Sequence, residues 1–242
     1  KPQGPSSTQA LARVKRILRE AGIGRSKIGH GGTLDPLATG VLPIALGEAT
    51  KLLAFLLDAD KAYDFTLRWG EERSTDDSEG AVTATSPFRP DRPAIEAALA
   101  QFRGPIEQTP PPFSALKVDG VRAYAIARQG GQVVLQPRAV TIHSLSLLDC
   151  PDPDHACFSV ACSKGTYVRS LARDIGRALG SAAHVTGLRR TQAGPFSLDQ
   201  AISLDSLAEC VHSAPQERWH HPMTAGLDDI PALAVDPNQA RE

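Results

Sequence analysis

The sequence predicts an α+β fold in which helices flank a mixed, largely antiparallel sheet. Two observations lead there. Segments with strand-like alternation and segments with helical spacing are mixed along the chain, without the strict strand–helix order of a doubly wound sheet. The length, 242 residues with 41% hydrophobic content, is enough to bury a substantial core.

The elements follow in order. Pro5-Ser6-Ser7-Thr8 ahead of Leu11, Val14, Ile17 and Leu18 predicts a capped amphipathic helix ending near Gly22, with Arg13, Lys15, Arg16 and Arg19 mainly on its wet side. Residues 27–48 are rich in Gly and Pro and read as a loop feeding a short strand at 41–46, with a helix over about 49–57. Tyr63, Phe65, Leu67 and Trp69 alternate with polar or small residues, the pattern of a half-buried strand. The acidic run 71–80 reads as a loop, turned away if the basic segments converge on a phosphate-binding face. Asp91 caps a helix that stops by Gly104-Pro105. Thr109-Pro110-Pro111-Pro112, unable to join a sheet interior, is expected to travel over the surface. Asp119-Gly120 signals a hairpin, strands are expected over 133–148 and 156–163, and a helix carrying Val168, Leu171, Ala172, Ile175 and Leu179 follows.

Composition excludes several classes. No stretch approaches the roughly 18 apolar residues of a membrane span and no basic-then-apolar leader opens the chain, so no membrane partner and a cytoplasmic location are expected. Cys150, Cys157, Cys162 and Cys210 form no C-x-x-C pair and read as reduced thiols, without a metal site. The net charge of −1 conceals strong polarisation. Residues 1–30 carry seven basic residues against Glu20, residues 164–190 carry six against Asp174, and residues 201–242 hold seven acids and two arginines. Basic segments meeting in space would form a phosphate-binding face; on charge alone, solvated helix faces are the simpler reading.

Gly29-His30-Gly31-Gly32-Thr33 has neither the P-loop spacing nor that of a dinucleotide fingerprint. It leads instead into Asp35, which Pro36 pushes out of the helical region and stiffens, presenting a carboxylate on a rigid loop as a nucleophile requires. In isolation, an ordinary Asp-Pro turn is the better account of those residues.

The whole string is more specific. Lys1-Pro2-Gln3-Gly4-Pro5-Ser6-Ser7, then Gly29-His30-Gly31-Gly32-Thr33-Leu34-Asp35-Pro36-Leu37-Ala38-Thr39-Gly40-Val41-Leu42-Pro43, then Gly47-Glu48-Ala49-Thr50-Lys51 resembles, in order and spacing, the motifs of the TruB family of tRNA pseudouridine synthases. Lys61-Ala62-Tyr63, Phe102-Arg103-Gly104, Pro112 to Lys117, Ser163 to Arg169 and Leu188-Arg189-Arg190 are similar to the family's later motifs. Gly31 stands where the family usually has threonine. The chain starts inside the first motif, and residues 230–242 are expected to open a small PUA-like domain after a catalytic domain spanning 1–229.

This resemblance implies a pseudouridine synthase fold with an insertion at about 108–142 that binds the T arm of tRNA. It implies isomerisation of uridine 55 in the T loop, by base flipping and attack by Asp35, without cofactor or metal. Tyr167 would lie beside the nucleophile and assist proton removal, and Arg169 would pair with Asp35 and aim it. Tyr63 would stack on the flipped base and His30 would enter the T loop. Lys51 and Lys164 would contact backbone or base edges, and Leu188 would form an apolar wall. Arg13, Lys15, Arg16, Arg189 and Arg190 are weaker phosphate candidates. No protein partner is implied, and a monomer is expected. Other classes fit part of the pattern: a silent tRNA-binding or folding helper, a guide-RNA-dependent dyskerin-like synthase, or an aspartate-dependent glycosidase, which needs a second carboxylate near Asp35.

Overall fold

The computed structural model describes residues 1–23, 26–118, 120–131, 133–215 and 219–227. Helix α1 (Ser7–Glu20) starts as the sequence predicts: the Ser6 hydroxyl accepts from Gln9 N while Gln9 Oε1 accepts from Ser6 N, a capping box. Val14, Ile17 and Leu18 are buried and Leu11 is half-buried.

The glycine-rich region is more ordered than expected. Three short strands form, β1 (Ile28–His30), β2 (Thr39–Gly40) and β3 (Ile44–Leu46), where a single strand at 41–46 was predicted. Antiparallel pairing of β1 with β3 satisfies backbone groups in a stretch too short to display a side-chain period. The helix expected over 49–57 is a 3₁₀ turn, Gly47–Leu52, that passes into α2 (Leu53–Asp58).

Strand β4 (Lys61–Trp69) buries Phe65, Leu67 and Trp69. A hairpin of β5 (Glu71–Arg73) and β6 (Val82–Thr85) follows, then α3 (Arg92–Ala98), capped by Asp91 through Ala94 N. Next come β7 (Gly104–Gln108) and the paired β8 (Lys117–Val118) and β9 (Val121–Arg122), on either side of the predicted turn; Asp119 itself lies outside the described residues. Helix α4 (Ala123–Arg128) precedes the long strands β10 (Arg138–Asp152) and β11 (His155–Cys162). Helix α5 (Val168–Ala178), β12 (Ala183–Ala193), β13 (Phe196–Ser197) and α6 (Leu204–Ser213) complete the described elements. The stretch expected to open a PUA-like domain, 230–242, lies outside them.

The main sheet runs β13-β12-β4-β11-β10-β7, with β2 added to β12 in parallel and the other pairs antiparallel. One face is apolar. Phe65, Leu67 and Trp69 of β4, Ala156, Phe158 and Val160 of β11, and Ile142 and Leu145 of β10 meet Leu171, Ala172 and Ile175 of α5. The cross-strand pair Phe65 and Phe158 stacks at 5.1 Å between ring centroids.

Two expectations are corrected. Pro110 and Pro111 are buried, because Thr109 O accepts from Ser170 Oγ (2.9 Å) and Arg173 Nη2 (3.0 Å) on α5 and draws the run inward. The acidic run does not face away as a whole: Asp76 and Asp77 are 5% and 3% exposed, held by arginines of the same helix.

Leu67, fully buried at the centre of this face, sets the scale of the core. Leu67→Ala is expected to lower the unfolding free energy by about 2–5 kcal/mol; urea titration monitored by tryptophan fluorescence reads it directly.

Candidate active site

The site lies where the apolar face of the sheet gives out. Along β4 the buried side chains Trp69, Leu67 and Phe65 are followed by Tyr63, which is half-buried. Its cross-strand partners are Val160 on β11 and Arg190 on β12. Leu188, opposite Phe65, is half-buried on the same face and closes the apolar side.

The loop between β1 and β2 brings Asp35 to this edge. Leu34, Leu37 and Ala38 are buried and anchor it from beneath, so Asp35 is left outward. Ser7 Oγ donates to Leu34 O (3.0 Å) and accepts from Leu34 N (2.8 Å), tying the loop to α1. A turn closes through Ala38 N to Asp35 O, and Gly4 N donates to Pro36 O. Gly40 permits the loop's closest approach to the sheet. With φ +103, a β-carbon there would lie 2.1 Å from Arg190 O, a position no other residue type can occupy without displacement. Gly31, the departure from the family pattern, packs against Leu56; a β-carbon would come within 2.9 Å of Leu56 Cβ.

Arg169 occupies the first turn of α5 and is 5% exposed. Its Nε lies 2.8 Å from Asp35 Oδ2, Nη1 donates to Thr75 O (2.8 Å) and Nη2 donates to Phe113 O (3.0 Å). The same Nε is 3.7 Å from Asp77 Oδ2, a residue the motif reading did not single out. The two carboxylates differ sharply. Asp35 keeps 37% of its side chain exposed, whereas Asp77 keeps 4%. Asp77 Oδ1 accepts from Glu79 N (3.0 Å) and from Thr75 Oγ1 (2.5 Å), which locks it into the turn. Asp77 is therefore the second acid near Asp35, but it is sequestered from anything that enters from solvent, contrary to what a glycosidase pair requires. Removing Arg169 would leave Asp77 buried without its cation, at a cost of about 3–5 kcal/mol.

Tyr167 sits immediately before α5, with its backbone N–H donated to Gln108 Oε1 (2.8 Å). Burial first, with a contribution from the Asp35 charge, raises its phenol pKa; Ser114 and Arg169 oppose the shift. Tyr63 is also raised, chiefly by burial, with Arg190 opposing and Asp35 adding to it. Both phenols thus lie within reach of the Asp35 charge. His30 ends β1 opposite Ile44, and burial followed by the charge of Arg190 lowers its pKa.

Lys51 and Lys164 stand apart from this cluster. Both are exposed, Lys51 paired with Glu48 and Lys164 with Asp58 (3.0 Å). Among the weaker candidates, Lys15, Arg16 and Arg189 are exposed and Arg13 pairs with Asp205. Arg190 is not a phosphate contact. At 1% exposure it donates through Nε to Val41 O (2.8 Å) and through Nη2 to Gly32 O (3.2 Å). Among the described residues no group of three or more His, Cys, Asp or Glu side chains is arranged to hold a metal ion, and the four cysteines are free thiols.

A model of the "TruB family pseudouridylate synthase (N terminal domain)" matches residues 15–168, and one of the "tRNA pseudouridylate synthase B C-terminal domain" matches residues 169–229. The chain belongs to the TruB family. Relatives named tRNA pseudouridine synthase B include one from Novosphingobium aromaticivorans, 54% identical over all of this chain and 81% of its own length. Another, from Bradyrhizobium diazoefficiens, is 55% identical over 97% of this chain and 68% of its own. Among solved structures, a Cbf5-Nop10-Gar1 complex matches with a TM-score of 0.72 at 30% identity, covering 94% of this chain and 59% of that one. The family read from the motifs is the family found, and its fold is the mixed sheet described above. Tyr167, the residue before α5, and Arg169, in its first turn, are held by one helix start.

A second ion-pair centre adjoins the first. Arg173 Nη1 lies 2.7 Å from Asp76 Oδ2 and its Nε 2.9 Å from Asp174 Oδ1. Burial pushes the Asp76 carboxyl up to about 6 despite Arg173. A carboxyl raised in the folded state binds its proton more tightly there than in the unfolded chain. This group therefore adds stability as pH falls from about 6 towards 3.8 and withdraws it as pH rises through 6. Asp76→Asn should remove that component; if urea midpoints of variant and wild type run parallel between pH 4 and 6.5, the burial argument fails.

Proposed function

We propose that this protein converts uridine 55 in the T loop of tRNA to pseudouridine, with Asp35 as the nucleophile. Its relatives named tRNA pseudouridine synthase B share about half its residues across the chain. One observation carries the reading to the residues: Asp35 is a partly exposed carboxylate whose oxygen is fixed by a buried guanidinium.

The reaction is an isomerisation. The bond between N1 of uracil and C1′ of the ribose breaks, the detached base turns, and C5 bonds to C1′. A proton leaves C5 and one is gained at N1, so nothing is consumed. Asp35 acts on the sugar, by direct attack at C1′ or through a glycal route. Tyr167, ahead of the helix that carries Arg169, is suited to assist removal of the C5 proton. A stacked base cannot undergo this chemistry, so the nucleotide must be flipped out, at a cost of about a few kcal/mol. Tyr63 offsets this by stacking on the extruded base against the Leu188 wall, while His30, kept neutral by burial, takes the vacated place in the loop.

The stretch 108–142 is assigned to closing over the T stem. Its hairpin and α4 leave Val121 and Tyr124 exposed, and Arg128 lies 5.7 Å from the Tyr124 ring centroid, a cation and an aromatic surface offered together to a nucleic acid. Lys51 and Lys164, in exchangeable surface pairs, can release Glu48 and Asp58 in favour of phosphate. Residues 1–229 form the catalytic domain in this reading, and an enzyme acting on free tRNA is expected to work as a monomer in the cytoplasm.

Carbodiimide labelling of a bare T-arm transcript tests the reading: incubation should create one new reverse-transcriptase stop at the target uridine, and its absence would refute the assignment. Asp35→Asn should abolish that stop while tRNA affinity stays within about tenfold, because the lost charge faces the sugar and not the phosphates. Turnover by this variant would remove Asp35 from the mechanism. Tyr63→Ala should cost about 1–3 kcal/mol of activation free energy, the worth of one stacked base, as measured by single-turnover rates.

A further inference from the structure

Arg190 is the one buried arginine at the site for which the proposed reaction has no use. It is 1% exposed, and among the described residues no ion pair includes it. Its partners are carbonyls on either side of Asp35: Gly32 O before it and Val41 O after it. Its own backbone takes part as well. Val41 N donates to Arg190 O (2.9 Å), and Gly40 aligns with Arg190 in the parallel β2–β12 pair. In the other direction Arg190 is the direct cross-strand neighbour of Tyr63, and it opposes the rise that burial imposes on the phenol pKa.

Resting on the reading above, we propose that Arg190 is a positioning residue for the isomerisation. One rigid guanidinium fixes both flanks of the Asp35 loop and the hydroxyl of Tyr63, and so sets the spacing between the attacking oxygen and the ring that receives the base. The planar fork of donors explains why arginine is needed. Lysine carries a point charge on a flexible stem and cannot hold two separated carbonyls in a fixed fork. The carbonyl that accepts from Arg190 belongs to Gly32, at φ +111, where a β-carbon would lie 3.4 Å from Arg190 Nη1. Its charge extends to His30 and Lys61, both of whose pKa values are lowered by burial first and Arg190 next.

The experiment is a double-mutant cycle in the full chain, with Arg190→Lys, Tyr63→Phe and the pair, measuring tRNA affinity and single-turnover pseudouridine formation. Arg190→Lys is expected to slow the rate at saturating tRNA by about tenfold or more with affinity within about threefold, a loss in the chemical step and not in binding. The double variant should be no more than about twofold slower than Arg190→Lys, because both changes break one linkage. Multiplicative effects, or a loss confined to affinity, would overturn the proposal. Should Arg190→Lys fail to fold, ¹⁵N spectra of the wild type and Tyr63→Phe decide instead. The Arg190 Nε–H is expected as a slowly exchanging signal that shifts when the Tyr63 hydroxyl is removed, and an unshifted signal would refute the linkage. A wild type inactive on the T-arm transcript would refute the assigned reaction alone, while the Nε–H shift would still test the geometry.

Discussion

The site depends on satisfying one desolvated cation. Burying a guanidinium costs several kcal/mol unless its donors and charge are matched, and Arg169 recruits its matches from three distant parts of the chain. Asp35 comes from the loop after β1, Asp77 and Thr75 O from the turn after β5, and Phe113 O from the segment after the proline run. Folding the interior therefore assembles the candidate site. Of the two acids that share the Arg169 Nε, the turn encloses one and the Pro36 loop exposes the other, which separates a buried counter-ion from an accessible carboxylate.

This arrangement also explains where the site sits. The apolar face under α5 continues along β4 as far as Phe65 and its partner Leu188; beyond it the sheet offers Tyr63 and the buried Arg190, and α5 adds Arg169. Aromatic walls and fixed charges border a core that excludes water on one side only. In the proposed reaction, a base turned out of its stack finds apolar area there and its sugar meets a carboxylate held by Arg169.

Elements governed by local rules were legible in the sequence. The Ser6 capping box, the alternation of Phe65, Leu67 and Trp69, and the helical spacing of Leu171, Ala172 and Ile175 each appear where neighbouring residues require. Long-range demands were not legible. β12 carries His184, Arg189, Arg190 and Gln192 among its apolar residues, and what lets Arg190 be buried is a pair of carbonyls some 150 positions earlier in the chain. Pro110 and Pro111 are interior for the same reason, since α5 donors claim the carbonyl of Thr109. Asp77 looked like one more solvated acid in an acidic run, and only the fold reveals its cation. The Asp35 and Arg169 pair was reached through the family motifs; an Asp-Pro loop and a helix-start arginine did not by themselves predict it.

Tyr167 and Arg169 stand two positions apart where α5 begins, and this has a genetic consequence. Gain or loss of a single codon there would rotate one side chain away from the other, whereas replacement of a neighbouring residue would not. Lineages of this enzyme should therefore vary around that helix start by substitution and keep its length fixed.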